Sequence, residues 1–376
     1  MRKIKLITAA LLLLCLCACG NTEDSGWNGM EKTGSLELQY AKEFQVDYYE
    51  DGYDVITIEG DEYLLVPEGM PVPDEIGSEV TVLQQPLENL YVASSSAMDL
   101  FLQAGAIDRV DMTSTSAENW TIPEIREKVI SDDILFVGKY SAPDYEVVLD
   151  EGCGLAVENT MISHTPEVKE KLEQLGIPVL VERSSYEESP LGRVEWIKLY
   201  GLLTGQLDTA EQFFEQSVQQ VQAVEKETKN QGNETPTVAF FYFTASGYVN
   251  VRTPDDYISQ MIELAGGKYA FSAEELGDQG NRSSVNMDPE QFYAAAKDAD
   301  ILIYNSTVEG EISSLDALTE KSPLMKDCKA VLNGTVWCTG QNMFQQVSGT
   351  AEMISDLHTV ISGDSEQSLR FLHRLS

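Results

Sequence analysis

The sequence predicts an α/β protein: two Rossmann-like lobes with mostly parallel sheets, joined by one long helix. Three observations predict it. Strand–loop–helix units recur in the same order on either side of residues 184–232, and such alternation builds parallel sheets with helices on their faces. Between the two sets lies an amphipathic stretch of helical period. The chain of 376 residues also exceeds what one core comfortably holds. The resulting organisation is an N-terminal lobe over residues 36–183 with added strands, a helical linker over 184–232, and a C-terminal lobe over 233–376.

The chain begins with Arg2, Lys3 and Lys5, an apolar run from Leu6 to Leu16, then Leu16-Cys17-Ala18-Cys19. A basic region, a short apolar core and a small residue before a cleavage point make residues 1–18 an export signal. Its core is short for a membrane span. The segment resembles a bacterial lipobox, with Cys19 at the lipidated position. Residues 19–35 are polar and form a flexible tether.

The charge balance is 25 basic against 62 acidic residues, a net −37, which becomes −40 once Arg2, Lys3 and Lys5 leave with the signal. So acidic a surface repels nucleic acid and anionic headgroups. Membrane contact is therefore expected through the lipid alone, and a monomer is expected. Three cysteines follow the lipid site: Cys153, Cys328 and Cys338. Export permits a bridge between Cys328 and Cys338, which flank Asn333-Gly334, read here as a turn; free thiols are the alternative. Cys153 reads as a buried thiol.

Leu36 to Val66 alternates and is rich in Tyr, Val and Ile, with Asp51-Gly52 and Glu59-Gly60-Asp61 as turns: a set of short antiparallel strands. Then come a strand at Leu90–Ala93, the loop Ser94-Ser95-Ser96, a helix over Ala97–Gln103, and the closure Ala104-Gly105-Ala106. A strand at Ile134–Val137 leads through a loop to a helix near Pro143-Asp144-Tyr145-Glu146. Strands at Gly154–Asn159 and Pro178–Val181 enclose a helix over Glu167–Leu175.

In the linker, Pro190 suits a first helical turn. Asp208 with Glu211 reads as a capping box for a second helix. That helix, from Thr209 to Lys229, sets Ala210, Phe213, Phe214, Val218, Val221 and Val224 on one side. Roughly 22 residues at about 1.5 Å each make a rod of about 33 Å. Beyond it the first pattern returns. Thr237–Phe243 is a strand and Thr244–Arg252 a loop. Tyr257–Leu264 is a helix, closed by Ala265-Gly266-Gly267. Asp288-Pro289-Glu290 opens a helix that feeds the strand Asp300–Tyr304. Ala330–Gly340 reads as strand around Asn333-Gly334, and Gln345–Ile361 as a closing helix.

Chemistry is sparse. His164, His358 and His373 have no partner at metal-ligand spacing, and GxSxG, P-loop and GxGxxG patterns are absent from the sequence. No catalytic group, resident cofactor or metal site is therefore assigned. Two lobes without such groups point to binding in the cleft between them.

The ordered motifs resemble the substrate-binding lipoproteins of ABC importers for iron–siderophore, haem and cobalamin. They are Ser94-Ser95-Ser96 with its helix to Gly105-Ala106, Ser141 to Glu146, Pro190 to Lys198, and Leu264-Ala265-Gly266-Gly267. The Tyr-rich strands of residues 44–66 and the acidity depart from the pattern. The resemblance implies capture of an iron chelate, haem or corrinoid and its delivery to the transmembrane subunits of an ABC permease. It also implies that Glu146 and Glu290, each at a helix start, meet permease arginines. A ligand sensor or adhesion module of the same fold is the alternative.

Ligand contacts are expected from Ser95, Trp120, Lys139 and Tyr140 in the first lobe. Tyr242, Tyr248, Arg252, Arg282, Trp337 and Phe344 are expected in the second. Aromatic residues suit a bulky chelate or macrocycle. With only Lys139, Arg252 and Arg282 as cations, a near-neutral hydroxamate chelate or corrinoid is favoured over a tri-anionic catecholate.

Overall fold

A computed structural model describes residues 29–74, 76–230, 235–277, 282–364 and 368–376. The export signal, Cys19 and most of the tether lie outside the described residues. Five strands come first: β1 (Lys32–Ser35), β2 (Phe44–Tyr49), β3 (Asp54–Ile58), β4 (Asp61–Val66) and β5 (Thr81–Gln84). They pair in sequence order, antiparallel except for the parallel β4–β5 contact. The face carrying Phe44, Val46, Ile56 and Leu65 joins the main core, and Phe44 lies 4.8 Å from the Trp196 ring of the linker.

The first lobe follows with β6 (Leu90–Val92), α1 (Ser95–Gln103), β7 (Val110–Thr113), α2 (Pro123–Ile130), β8 (Leu135–Phe136), the small hairpin β9 (Gly138–Lys139) and β10 (Ala142–Pro143), α3 (Tyr145–Asp150), β11 (Ala156–Asn159), α4 (Pro166–Gln174) and β12 (Val179–Glu182). The sheet runs β12-β11-β6-β7-β8 with every pairing parallel.

The linker comprises α5 (Pro190–Glu195), α6 (Ile197–Thr204) and α7 (Leu207–Asn230). Apart from Leu202, every α5 and α6 residue is buried, in keeping with their broad apolar surface. Gly205 ends α6 at φ +72°, a left-handed conformation that suits glycine. A Cβ on Gly201 would come within 2.6 Å of the Ala210 Cβ, so this glycine lets α6 and α7 cross closely. Because α7 starts at Leu207, Asp208 stands inside its first turn instead of capping it. The favourable place of a carboxylate near a helix N-terminus survives that correction.

The rod is 24 residues long, about 36 Å at 1.5 Å per residue. Ala210, Phe214, Val218, Val221 and Val224 are buried along it, with Phe213 half-buried. A Cβ on Gly105 of the first lobe would lie 4.0 Å from Thr209, and one on Gly266 of the second lobe 2.8 Å from Thr228. The two Ala-Gly closures thus abut opposite ends of the same helix.

The second lobe contains β13 (Thr237–Phe243), β14 (Val249–Arg252), α8 (Tyr257–Leu264), β15 (Lys268–Tyr269), α9 (Ala273–Leu276), β16 (Ser284–Met287), α10 (Pro289–Ala296), β17 (Ile301–Tyr304), α11 (Ser306–Glu309), α12 (Leu315–Lys321), α13 (Lys329–Asn333), β18 (Val336–Thr339), α14 (Thr350–Ser362) and β19 (Leu372–Arg374). Its sheet runs β16-β14-β13-β17-β18-β19, with β15 also on β13. The centre is parallel and the flanks β14, β16 and β19 are antiparallel.

Three expectations change here. The supposed loop Thr244–Arg252 is half strand, since Val249 and Val251 alternate into the core and pair with β13. Asn333-Gly334 is the end of α13, with Gly334 at φ +66° as its left-handed cap, so no hairpin brings Cys328 to Cys338. Cys153, Cys328 and Cys338 are free and buried, and burial lifts each thiol to about 11.

Candidate functional site

The loops after the first-lobe strands line an open pocket of about 500 Å³. Ser94, Ser95 and Ser96 follow β6, Ser114 and Thr115 follow β7, and Asn159 and Thr160 close β11. Lys139 and Tyr140 enter it from the β9–β10 hairpin. The organiser is Glu182, the last residue of β12 and 2% exposed. Its carboxylate accepts the Ser94 hydroxyl at 2.7 Å, the Ser96 hydroxyl at 3.3 Å and the Ser184 N–H at 2.8 Å. The first two bonds orient the serine loop, whose Ser94 caps α1. Parallel sheets present their ligand-facing loops at these strand ends.

In the second lobe, Tyr242, Arg252 and Phe344 come together. The Arg252 guanidinium lies 5.3 Å from the Phe344 ring centroid and 3.7 Å from the Asp256 carboxylate. Burial raises the Tyr242 phenol above its ordinary value, with Arg252 pulling the other way. Burial also raises the Asp256 carboxyl, opposed by Arg252, the Ile258 N–H and Arg193. Arg193 arrives from α5, its guanidinium 3.8 Å from the Tyr257 ring centroid.

The lobes touch beside this group. Gln345, next to Phe344, accepts the Thr121 N–H at 2.8 Å and hydroxyl at 2.5 Å, and donates to the Asn119 carbonyl at 2.8 Å. Asp99 of α1 bonds Ser348 across the same boundary.

Ser95, Lys139 and Tyr140 thus gather in one lobe and Tyr242, Arg252 and Phe344 in the other. The remaining four expected contacts are placed elsewhere. Trp120 is 3% exposed and donates its indole N–H to Thr115, closing its own turn within the core. Tyr248 is exposed in the turn between β13 and β14. Arg282 is exposed beside β16, at a separate cavity of about 450 Å³ shared with Asn250, Ser284 and Asn286. Trp337 stands mid-strand in β18, paired with Ile303 and Arg374 and not at the strand end.

Sequence reasoning missed Glu182, Arg193 and Gln345. An arginine inside the apolar run of α5 was a readable signal for Arg193; Gln345 had none, because its partners lie 224 and 226 positions away. The histidines stand apart from both groups: His164 is exposed, His358 is buried against the Ala265 carbonyl, and His373 lies on β19. Glu146 and Glu290 are exposed in the first turns of α3 and α10. Among the described residues no helix is long and apolar enough to cross a membrane.

A family model described as periplasmic binding protein matches residues 113–342. Two uncharacterized lipoproteins of Methanocaldococcus jannaschii are each 25% identical to this chain; one alignment covers 88% of the chain and 83% of the relative, the other 81% and 76%. Among solved structures, a periplasmic haem-binding protein from Pseudomonas aeruginosa matches with a TM-score of 0.62 at 14% identity, over 77% of this chain and 98% of that one. The periplasmic haem-binding protein HutB of Vibrio cholerae matches with 0.59 at 17% identity, over 73% and 98%. A periplasmic binding protein from Veillonella parvula matches with 0.61 at 14% identity, over 82% and 97%.

Proposed function

The chain belongs to the periplasmic binding protein family, and from that premise we propose that it is a lipid-anchored extracytoplasmic receptor. It captures an iron–siderophore, haem or corrinoid between its lobes and delivers it to an ABC permease. The observation that carries this reading is that the two lobes, bonded to each other through Gln345, offer two unlike surfaces. One is the hydroxyl-lined cavity under Ser95, Lys139 and Tyr140. The other is the Tyr242–Arg252–Phe344 group, one residue from the Gln345 bridge. Hydroxyls and a lysine suit the oxygen-rich periphery of a chelate, and aromatic rings suit its apolar body.

Delivery rests on Glu146 and Glu290, exposed at equivalent helix starts of the two lobes and free to meet cations of a partner. Anchoring rests on Cys19 and on names: both archaeal relatives are called lipoproteins. The rod α7 favours a small closing motion over a wide bend. The test is the ligand itself. Protein purified from its native host should carry a metal chelate or macrocycle visible by absorbance and mass spectrometry. A preparation that arrives empty and binds no ferric siderophore, haem or corrinoid in titration would overturn the reading.

A further inference from the structure

Two arginines converge on one carboxylate where the linker meets the second lobe. Arg193 from α5 lies 3.8 Å from the Tyr257 ring centroid and Arg252 from β14 lies 3.7 Å from the adjacent Asp256 carboxylate, so the charges of both act on Asp256. The count of charges does not close. Asp256 is the N-cap of α8, and one of its oxygens is already taken by the Ile258 N–H at 2.9 Å. The other lies 3.7 Å from Arg252, which is ion-pair distance without a hydrogen bond. Among the described residues no carboxylate comes within 4.0 Å of the Arg193 guanidinium, and none but Asp256 comes within 4.0 Å of that of Arg252.

The donors are equally unspent. Among the described residues neither guanidinium donates a hydrogen bond, although Arg193 is 8% exposed and its Nε is buried without a partner. Tyr257 and Phe344 cover guanidinium faces. Stacking of that kind leaves the in-plane N–H groups free for an acceptor. A largely buried pair of cations with open edges is costly unless an oxyanion completes it.

We propose that Arg193 and Arg252 form a clamp for a carboxylate carried by the ligand, at the linker end of the cleft. This rests on the cleft being the ligand site, and it shifts the ligand class away from the neutral chelates favoured by composition. A planar carboxylate can accept in-plane N–H pairs from guanidinium forks. Phe344 and Tyr242 flank Arg252, so the clamp adjoins the aromatic surface that takes the ligand body. The chain's net charge of −37 does not oppose it. Exposed charges farther than about 8 Å are largely screened at physiological ionic strength, whereas two guanidiniums in a partly dry site act locally.

Four probes test the clamp by calorimetric titration: ferric citrate, haemin with its two propionates, metal-free citrate, and neutral ferrioxamine E, which has no carboxylate. Carboxylate probes should bind the wild type. Arg193→Met and Arg252→Met should each weaken them on the order of 10- to 100-fold, with any ferrioxamine E affinity reduced far less. Arg193→Lys should fall between, because an ammonium offers no planar fork. Melting curves check folding, and if Arg193→Met does not fold, Arg193→Lys and Arg252→Met read the same contrast. Variants that hold carboxylate probes as tightly as the wild type would overturn the clamp. A wild type that takes ferrioxamine E alone would also overturn it while leaving the chelate reading intact. Arginine-dependent binding of metal-free citrate without any chelate would do the reverse, and no binding of any probe would overturn both.

Discussion

The Asp99 carboxylate of α1 accepts the Ser348 N–H at 2.7 Å and the Ser348 hydroxyl at 3.1 Å, fastening one lobe to the other. Both residues are buried. Asp99→Ala would leave two buried donors unpaired, at about 1–3 kcal/mol each. The melting temperature should drop, and small-angle scattering should show a wider spread between lobes. A variant with unchanged melting and scattering would make this bond incidental to lobe spacing.

A second latch ties the N-terminal strands to the linker. The buried Glu195 carboxylate accepts the N–H groups of Gln39, Tyr40 and Ala41 and pairs with Lys198 at 2.7 Å. Removing one partner of a buried pair strands the other, so Glu195→Ala should cost about 3–5 kcal/mol in urea unfolding. Limited proteolysis should then cut within residues 37–43. A denaturation midpoint like that of the wild type would contradict the latch.

Stability should depend on Glu158. This residue of β11 is fully buried, and among the described residues neither carboxylate oxygen has a hydrogen-bond partner; burial lifts it to about 8. The folded state keeps this proton at pH values where the unfolded chain has released it. The stabilising contribution is therefore complete below about pH 4.5 and fades as the pH rises through 8. Glu158→Gln should remove a slope worth on the order of 3–5 kcal/mol and melt higher than the wild type at pH 9. Asp54, raised to about 7 by burial, adds a slope of the same sign that the single variant retains. Parallel stability–pH curves for variant and wild type would rule out Glu158 as the source.

Handover should fail by charge. Glu146 and Glu290 are exposed and keep no ion pair among the described residues. Glu146→Ala and Glu290→Ala should each slow uptake, and the double variant should lose most of it. Exposed pairs contribute about 0.2–1 kcal/mol singly, more if docking dries them. Ligand affinity of the purified variants should stay put. Full uptake by the double variant would reduce both residues to helix-end charges.

Anchoring is tested most simply. Cys19→Ala should release the protein from membranes without altering ligand affinity, since the lipid is the only membrane contact proposed. Retention after a high-salt wash would exclude the lipid as the sole anchor.

The fold was largely legible because its signals are local. The mostly apolar run Thr237–Phe243 is a strand buried on both faces, and the Ala210–Val224 stripe is a helix with one buried side. Errors fell where a short segment reads two ways. Val249–Arg252 passes for loop until β13 offers it a partner, and Asn333-Gly334 serves a hairpin or a helix end equally well. The candidate site's placement was half legible for the same reason. Ser95, Lys139 and Tyr140 follow recognisable strands, so their loops could be placed on a sheet edge from sequence alone. Whether a side chain faces that edge depends on strand pairing and on neighbours far along the chain. Trp120 turned inward to its own loop, Trp337 fell mid-strand, and Arg193 met the Tyr257 ring across 64 positions only because α5 packs on α8. Propensity and periodicity act within a few residues and determined the elements. Burial, charge balance and the joining of the lobes are sums over distant neighbours, and only the tertiary structure decided them.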